Sequence, residues 1–138
     1  MASVAVMESV EARVTQYWSP ADGPVLTPNT TASRPVAGTP FLAIQYPVTN
    51  RKQASIGTPG SQLIREEGGI RFVYSVPRGV PLKSAQQKLE ALMARFQNAR
   101  FGGVNTFVPV MPGSDDANDA GTYWRLSAVV PYQADTLG

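Results

Sequence analysis

The sequence predicts an α+β fold in which a mainly antiparallel sheet of four to five strands carries two helices on one face. Two segments have the apolar spacing of amphipathic helices, and others have the short apolar or alternating patterns of strands. The connections beside the second helix are short, which favours antiparallel neighbours over a parallel crossover. The chain has 138 residues and 43% hydrophobic content, so we expect a single domain with one core over residues 1–138.

The first predicted helix covers residues 4–18, where apolar side chains recur at helical spacing. Its buried side is expected to contain Val6, Val10, Val14 and Tyr17. Ser19 and Pro20 end the helix, and residues 20–40 then contain too many prolines and glycines for a regular element. We therefore expect an extended loop at about residues 20–40, of the kind that is often laid across a partner.

Two strands flank the next irregular segment. Residues 41–46 are apolar and aromatic and lie between Pro40 and Pro47, so they predict a short buried strand that Pro47 ends. Residues 48–67 contain several breakers and predict an extended arm or a long hairpin that returns into a strand beginning near Leu63. Gly68 and Gly69 predict a bulge or bend between this outer segment and a core strand at residues 70–76.

The second half of the chain predicts a helix and two strands. Ser84 is the expected N-cap of a helix whose buried stripe is Ala85, Leu89, Leu92, Met93 and Phe96. Residues 104–110 alternate as an edge strand with prolines near its end. Residues 122–133 predict a central strand with inward-facing Trp124, Leu126, Ala128, Val130 and Tyr132.

The amino-acid composition lacks the residues on which most catalytic and metal-binding sites depend. The chain contains no cysteine and no histidine, which supply most zinc ligands, nucleophile pairs and general bases at neutral pH. Glu66 and Glu67 are the only plausible general bases, but adjacent residues of a strand point to opposite faces. The aspartates of residues 115–119 lack the spacing of a calcium loop and fit an ordinary polar hairpin loop. We expect no enzyme activity, cofactor or metal site.

The net charge of +2 is small, but the charges are unevenly distributed. Residues 23–65 carry only basic charges, and residues 111–138 carry four acids against Arg125. These stretches are either solvated loops or complementary surfaces of neighbouring copies. The second helix has a basic side, with Lys83, Lys88, Arg95 and Arg100, which fits a solvated face, an acidic protein or nucleic acid. No apolar run has the ~20 residues of a membrane helix, so we expect a soluble protein.

The order of several short motifs resembles one protein family. A helix ends in a tryptophan, a proline-rich connection leads to the strand FLAIQY, and a later strand is entered through Arg65 and Gly68. That strand ends in V-P-x-G at residues 76–79, and the final strand reads WRLSAVVPY. Together these motifs resemble the tail terminator proteins of long-tailed, siphovirus-like bacteriophages and phage-derived particles. The resemblance covers residues 4–133.

The resemblance implies a structural virion protein that forms a hexameric ring on the last ring of the tail tube. Such a ring ends tube polymerisation and provides the docking surface for head-completion or neck proteins, while DNA passes through its lumen without sequence-specific binding. The expected location is the head-proximal end of the tail in the virion, after assembly in the host cytoplasm. Subunit or tube contacts are expected at Arg34, Arg51, Lys52, Ile56, Arg65, Glu66 and Glu67. Partner-facing charges are expected at Lys83, Lys88, Arg95, Asp115, Asp116 and Asp119.

Two other functions fit the same sequence. A tail-completion or neck protein on the head side belongs to the same structural class. A small nucleic-acid-binding module belongs to a different class and would use the basic side of the second helix.

Overall fold

The structure is a computed structural model, and it describes residues 2–27, 39–53, 62–77, 79, 81–114 and 123–137. This part of the chain forms two α-helices, a 3₁₀ turn at Pro20–Asp22 and seven strands. The helices are α1 (Val4–Tyr17) and α2 (Leu82–Phe96). The strands are β1 (Val25–Leu26), β2 (Phe41–Gln53), β3 (Leu63–Pro77), β4 (Arg100–Phe101), β5 (Val104–Thr106), β6 (Val110–Ser114) and β7 (Tyr123–Leu137).

The strands form one mixed sheet in the order β1-β2-β3-β7-β5-β4, and β6 also pairs with β7. Each described pair is antiparallel except β1 with β2. The α+β class is confirmed, but the prediction of four to five antiparallel strands is wrong. Strands β1 and β4 have only two residues each and are too short for a periodic pattern. The loop predicted at residues 20–40 therefore contains a 3₁₀ turn and β1, while residues 28–38 lie outside the described ranges.

Strand β2 continues through Pro47 to Gln53, so the prediction that Pro47 ends this strand is wrong. The register with β3 shifts between Gln45 and Val48, which places two residues of β2 opposite one of β3. Pro47 lies within this bulge, where its missing N–H removes no ladder hydrogen bond. The bulge was expected in β3 at Gly68 and instead lies in β2, while β3 stays in continuous register with β7.

The central ladder pairs β3 with β7 over all fifteen residues of each strand. The prediction of a central final strand is confirmed, and this strand reaches Leu137 instead of ending at Gln133. The expected edge strand is divided into β5 and β6, with residues 107–109 between them. Proline at position 109 fits this interruption because it cannot donate to a ladder.

Both helices pack on the same face of the sheet and share one cluster of buried side chains. The predicted stripe of α2 is buried in full, and Val6, Val10 and Val14 of α1 are buried as expected. Tyr17 is 37% exposed, and Trp18, one position later, is buried in its place. Ring contacts join the helix layer to the sheet, since the ring centroids of Trp18 and Tyr74 are 5.0 Å apart. The ring of Trp18, which directly follows α1, therefore packs the end of this helix against β3.

The ends of α2 differ from the prediction. The helix begins at Leu82 after Pro81, with no side-chain cap, so Ser84 is not its N-cap. After its last residue, the hydroxyl of Thr106 donates to the carbonyl of Phe96 and accepts a hydrogen bond of 2.9 Å from the N–H of Ala99. A buried threonine of β5 thus satisfies polar backbone groups where the helix ends.

Candidate interaction surfaces

The predicted arm at residues 48–67 is an extension of the sheet. We call residues 48–53 of β2 and 63–69 of β3 the ribbon. Its β3 half is hydrogen-bonded on both sides, to β2 and to β7, so it is not a free arm. Its β2 half is exposed except for the half-buried Thr49, and no described strand pairs with its outer edge. Among the described residues, the outer edge of β2 at residues 48–52 therefore has no strand beside it.

The charged side chains of the ribbon are paired within the chain. Arg51 lies 3.8 Å from Glu66, and Lys52 lies 3.6 Å from Glu67. Arg65 makes a bidentate salt bridge with Asp135 of β7: its Nε donates to Oδ1 at 2.9 Å and its Nη2 donates to Oδ2 at 3.2 Å. The hydrogen bond from Arg65 lowers the pKa of Asp135. Three cations of the sequence-predicted contact set therefore have acidic partners inside the subunit.

Glu66 has the most unusual environment among these residues, because it is only 4% exposed. Its carboxylate accepts hydrogen bonds from the Tyr132 hydroxyl at 2.7 Å and from the Ser3 N–H at 3.2 Å. Thr49 lies 3.3 Å from the same tyrosine hydroxyl. A buried carboxylate needs such partners to offset the loss of hydration. Glu66 thus joins the start of α1 to the ribbon and is not a surface contact.

Tyr132 keeps its proton at neutral pH. Burial raises the pKa of Tyr132 to about 12, and its hydrogen bond to Glu66 also acts in this direction. The protonated hydroxyl can therefore donate to the carboxylate at neutral pH. Neither Glu66 nor Glu67 lines any of four surface concavities that described residues form. This environment gives Glu66 a structural role.

The basic side of α2 is less available than its sequence indicates. Lys88 contacts Asp22 of the 3₁₀ turn at 3.0 Å, and this hydrogen bond raises the pKa of Lys88. Arg95 stacks on the Tyr17 ring, with 4.7 Å from the guanidinium carbon to the ring centroid. Arg100 donates to Asn105 at 2.8 Å, while Lys83 is exposed. These contacts distribute the four cations over separate local sites.

The structure adds Arg13, which was not among the predicted residues. Its guanidinium carbon lies 5.1 Å from the ring centroid of Tyr17 and 4.8 Å from that of Phe101. Its Nε donates to the carbonyl of Arg95 at 2.8 Å. The i,i+4 spacing of Arg13 and Tyr17 was a readable signal, but the contacts with α2 and β4 arise only from tertiary packing.

A groove of about 400 Å³ lies beside Tyr17, between the end of α1 and the outer side of α2. Its walls combine cations, hydrogen-bonding groups and apolar side chains. They are formed by Tyr17, Trp18, Ser19, Asp22, Ser84, Gln87, Lys88, Ala91, Leu92 and Arg95.

A second exposed region is apolar and lies at the β5–β6 edge. Phe107 is 45% exposed, and Val108 and Val110 are each 58% exposed. Contiguous apolar side chains at a sheet edge are typical of contact surfaces.

The remaining predicted residues are Arg34, Ile56, Asp115, Asp116 and Asp119, and they lie outside the described ranges. Among the residues that the structure describes, no three His, Cys, Asp or Glu side chains are grouped to hold a metal ion. In the same part of the chain, no helix is both long and apolar enough to cross a membrane.

Comparisons with known proteins identify the fold but no family. No protein-family model matches the sequence, and no curated protein matches it. Solved structures do match, and one with no descriptive name aligns with 100% of this chain and 99% of its own length. Its TM-score is 0.65 at 19% sequence identity, so the likeness shows a shared fold alone.

Proposed function

We propose that this protein is a structural virion protein that forms a ring on the end of a phage tail tube. The ring is hexameric in this proposal, stops tube polymerisation and presents its other face to head-completion or neck proteins. DNA passes through the lumen, and the subunit performs no catalysis. The protein would be located at the head-proximal end of the tail.

The observation that carries the proposal is the ribbon, whose outer β2 edge at residues 48–52 pairs with no described strand. Residues 50–53 are exposed although β2 is still paired with β3, so this part of β2 buries none of its side chains within the subunit. Val48, on the same strand, is 56% exposed. An exposed strand edge and an apolar side chain are features that a neighbouring subunit would cover. A second support is the motif order described above, which resembles that of the tail terminator family over residues 4–133.

Assembly in the presence of tube protein tests the proposal. Size-exclusion chromatography with light scattering should give a closed oligomer of the 14.8 kDa chain, alone or on the tube. Val48→Asp should weaken this assembly, because it places a charge at the ribbon edge. Leu82→Asp is the matched control, since Leu82 is also exposed and apolar but lies at the start of α2. A wild-type protein that stays monomeric and does not associate with tubes would refute the proposal.

The same-class alternative, a head-side completion or neck protein, is distinguished by the particles that accumulate without this protein. Loss of a tail terminator should leave free heads and, separately, unattached tails of abnormal length. Loss of a head-side protein should leave tails of normal length that do not join heads. A nucleic-acid-binding module has weaker support, because Lys88, Arg95 and Arg100 each contact another side chain of the subunit.

A further inference from the structure

The seam between α1 and α2 holds two guanidinium groups around one tyrosine. Arg13 and Arg95 both lie over the Tyr17 ring, at 5.1 and 4.7 Å from its centroid. We call these three residues the arginine–tyrosine cluster. Two like charges sharing one ring repel each other, and the ring offsets only part of this cost. An anion in contact with either guanidinium group would offset more.

The subunit supplies no such anion within its described part. The ion pairs there involve Arg51, Lys52, Arg65 and Lys88, and in these ranges neither cluster arginine has a carboxylate within 4.0 Å. Arg13 uses its Nε on a backbone carbonyl, which leaves its terminal nitrogens available for a planar carboxylate.

Two of the three cluster residues also line a groove. Tyr17 and Arg95 line the groove of about 400 Å³ described above. Its walls also include the apolar Trp18 and Leu92, the hydrogen-bonding Gln87 and the ion pair of Lys88 with Asp22. This mixture suits a short peptide segment that carries carboxylates beside small apolar side chains.

We propose that the arginine–tyrosine cluster and its groove bind the acidic segment of a second copy of this chain, residues 114–121. This segment reads SDDANDAG, and it contains three of the ten acidic residues of the chain within positions 115–119. Charge complementarity between a cationic groove on one copy and an acidic segment on the next gives a head-to-tail contact, which is the type that closes a ring. The inference rests on the proposed ring.

A peptide occupant fits the groove better than a nucleic acid does. A duplex requires a row of cations along its phosphates, whereas the charges of α2 are separated by their local contacts. The groove is also concave and partly apolar, which suits side chains of a peptide. Arg51, Lys52 and Arg65 of the basic stretch 23–65 already have acidic partners within the subunit, which makes them less available to an acidic neighbour.

Nuclear magnetic resonance tests the contact without requiring assembly. A synthetic peptide of residues 114–121 is titrated into the ¹⁵N-labelled protein, and the control peptide carries asparagine at all three aspartate positions. We expect shifts of the Arg13 and Arg95 side-chain N–H signals with the acidic peptide and not with the control. The inference is overturned if neither signal moves at millimolar peptide, or if only a DNA duplex moves them.

Charge exchange tests the same contact in the assembled protein. The double substitution Arg13→Glu with Arg95→Glu should weaken self-association roughly tenfold or more. The triple substitution Asp115→Lys, Asp116→Lys and Asp119→Lys should have the same effect. Combining both sets in one chain should restore association, because opposite charges face each other again. Lys83→Glu is the matched control, since Lys83 lies on α2 outside the groove walls. Unchanged association in both single sets would contradict the inference.

The outcomes separate this contact from the proposed function. Rings that cap tubes normally in both charge-reversed variants, with no peptide binding, reject the acidic contact and leave the ring proposal intact. Peptide binding at the cluster by a protein that never caps tubes rejects the tube-terminating function and keeps the contact.

Discussion

The hydroxyl of Tyr132 on β7 donates a hydrogen bond of 2.7 Å to the carboxylate of Glu66 on β3, within the interior of the subunit. The same carboxylate accepts the Ser3 N–H at the start of α1. One buried acid therefore connects the helix layer, the central strand pair and the ribbon.

Tyr132→Phe should destabilise the fold while leaving its packing nearly unchanged. The substitution removes one donor from a buried carboxylate, and hydrogen bonds to charged groups contribute about 1.5–3 kcal/mol. Urea unfolding measures the change. Tyr17→Phe is the matched control, because it removes a hydroxyl from a ring that is 37% exposed, and it should change stability by less than about 0.5 kcal/mol. Equal losses in both variants would show that the bond to Glu66 has no special role.

The pair of Arg65 and Asp135 predicts an acid-sensitive contribution to stability. The pKa of Asp135 is lowered by its hydrogen bond from Arg65, so the pair stabilises the fold above the unfolded-state value of about 3.9. This contribution is lost as the pH falls through the lower folded-state pKa. Carbon-detected titration should give Asp135 a depressed pKa, and Arg65→Met should return it toward the ordinary value. A normal pKa in the wild type would contradict the pair.

Gly68→Ala should destabilise more than Gly69→Ala. A Cβ on Gly68 would overlap the carbonyl oxygen of Val48, which belongs to the backbone and cannot move aside at low cost. A Cβ on Gly69 meets only a side-chain methyl of Val129, at 3.2 Å. We expect a loss of about 1–3 kcal/mol for Gly68→Ala, in the range of overpacked sites. Urea unfolding of both variants tests this order, and a larger loss at Gly69 would contradict it.

Thr106→Val should loosen the end of α2. Valine keeps the shape of the side chain but leaves the carbonyl of Phe96 and the N–H of Ala99 without their hydroxyl partner. The expected loss is about 1–3 kcal/mol, and hydrogen exchange should rise first at the last turn of α2. Thr106→Ser retains the hydroxyl and should lose less. A serine variant that is as unstable as the valine variant would assign the effect to packing.

The helices and the final strand were predictable because their burial follows a simple period. The stripe from Ala85 to Phe96 and the alternation in β7 place apolar residues on the buried side without reference to distant contacts. Pro47 misled the strand prediction because the register shift that accommodates it depends on β3.

The polar details of the candidate surfaces were not predictable from local sequence. Glu66 lies within a charged stretch that is typical of a solvated loop, and its burial depends on Tyr132 and Ser3, both more than sixty positions away. The arginine–tyrosine cluster likewise requires α1 and α2 to be adjacent. Local patterns identify amphipathic faces, whereas these pairings follow from the order and register of the strands and helices.

Electron microscopy of tail-tube ends tests the central claim most directly. Tube protein is polymerised with and without this protein, and class averages of the tube ends are compared. We expect a ring of additional density at one end and tubes that stop growing when the ring is present. Tubes that reach the same lengths in both samples, with no added density at either end, would contradict the tail-terminating function.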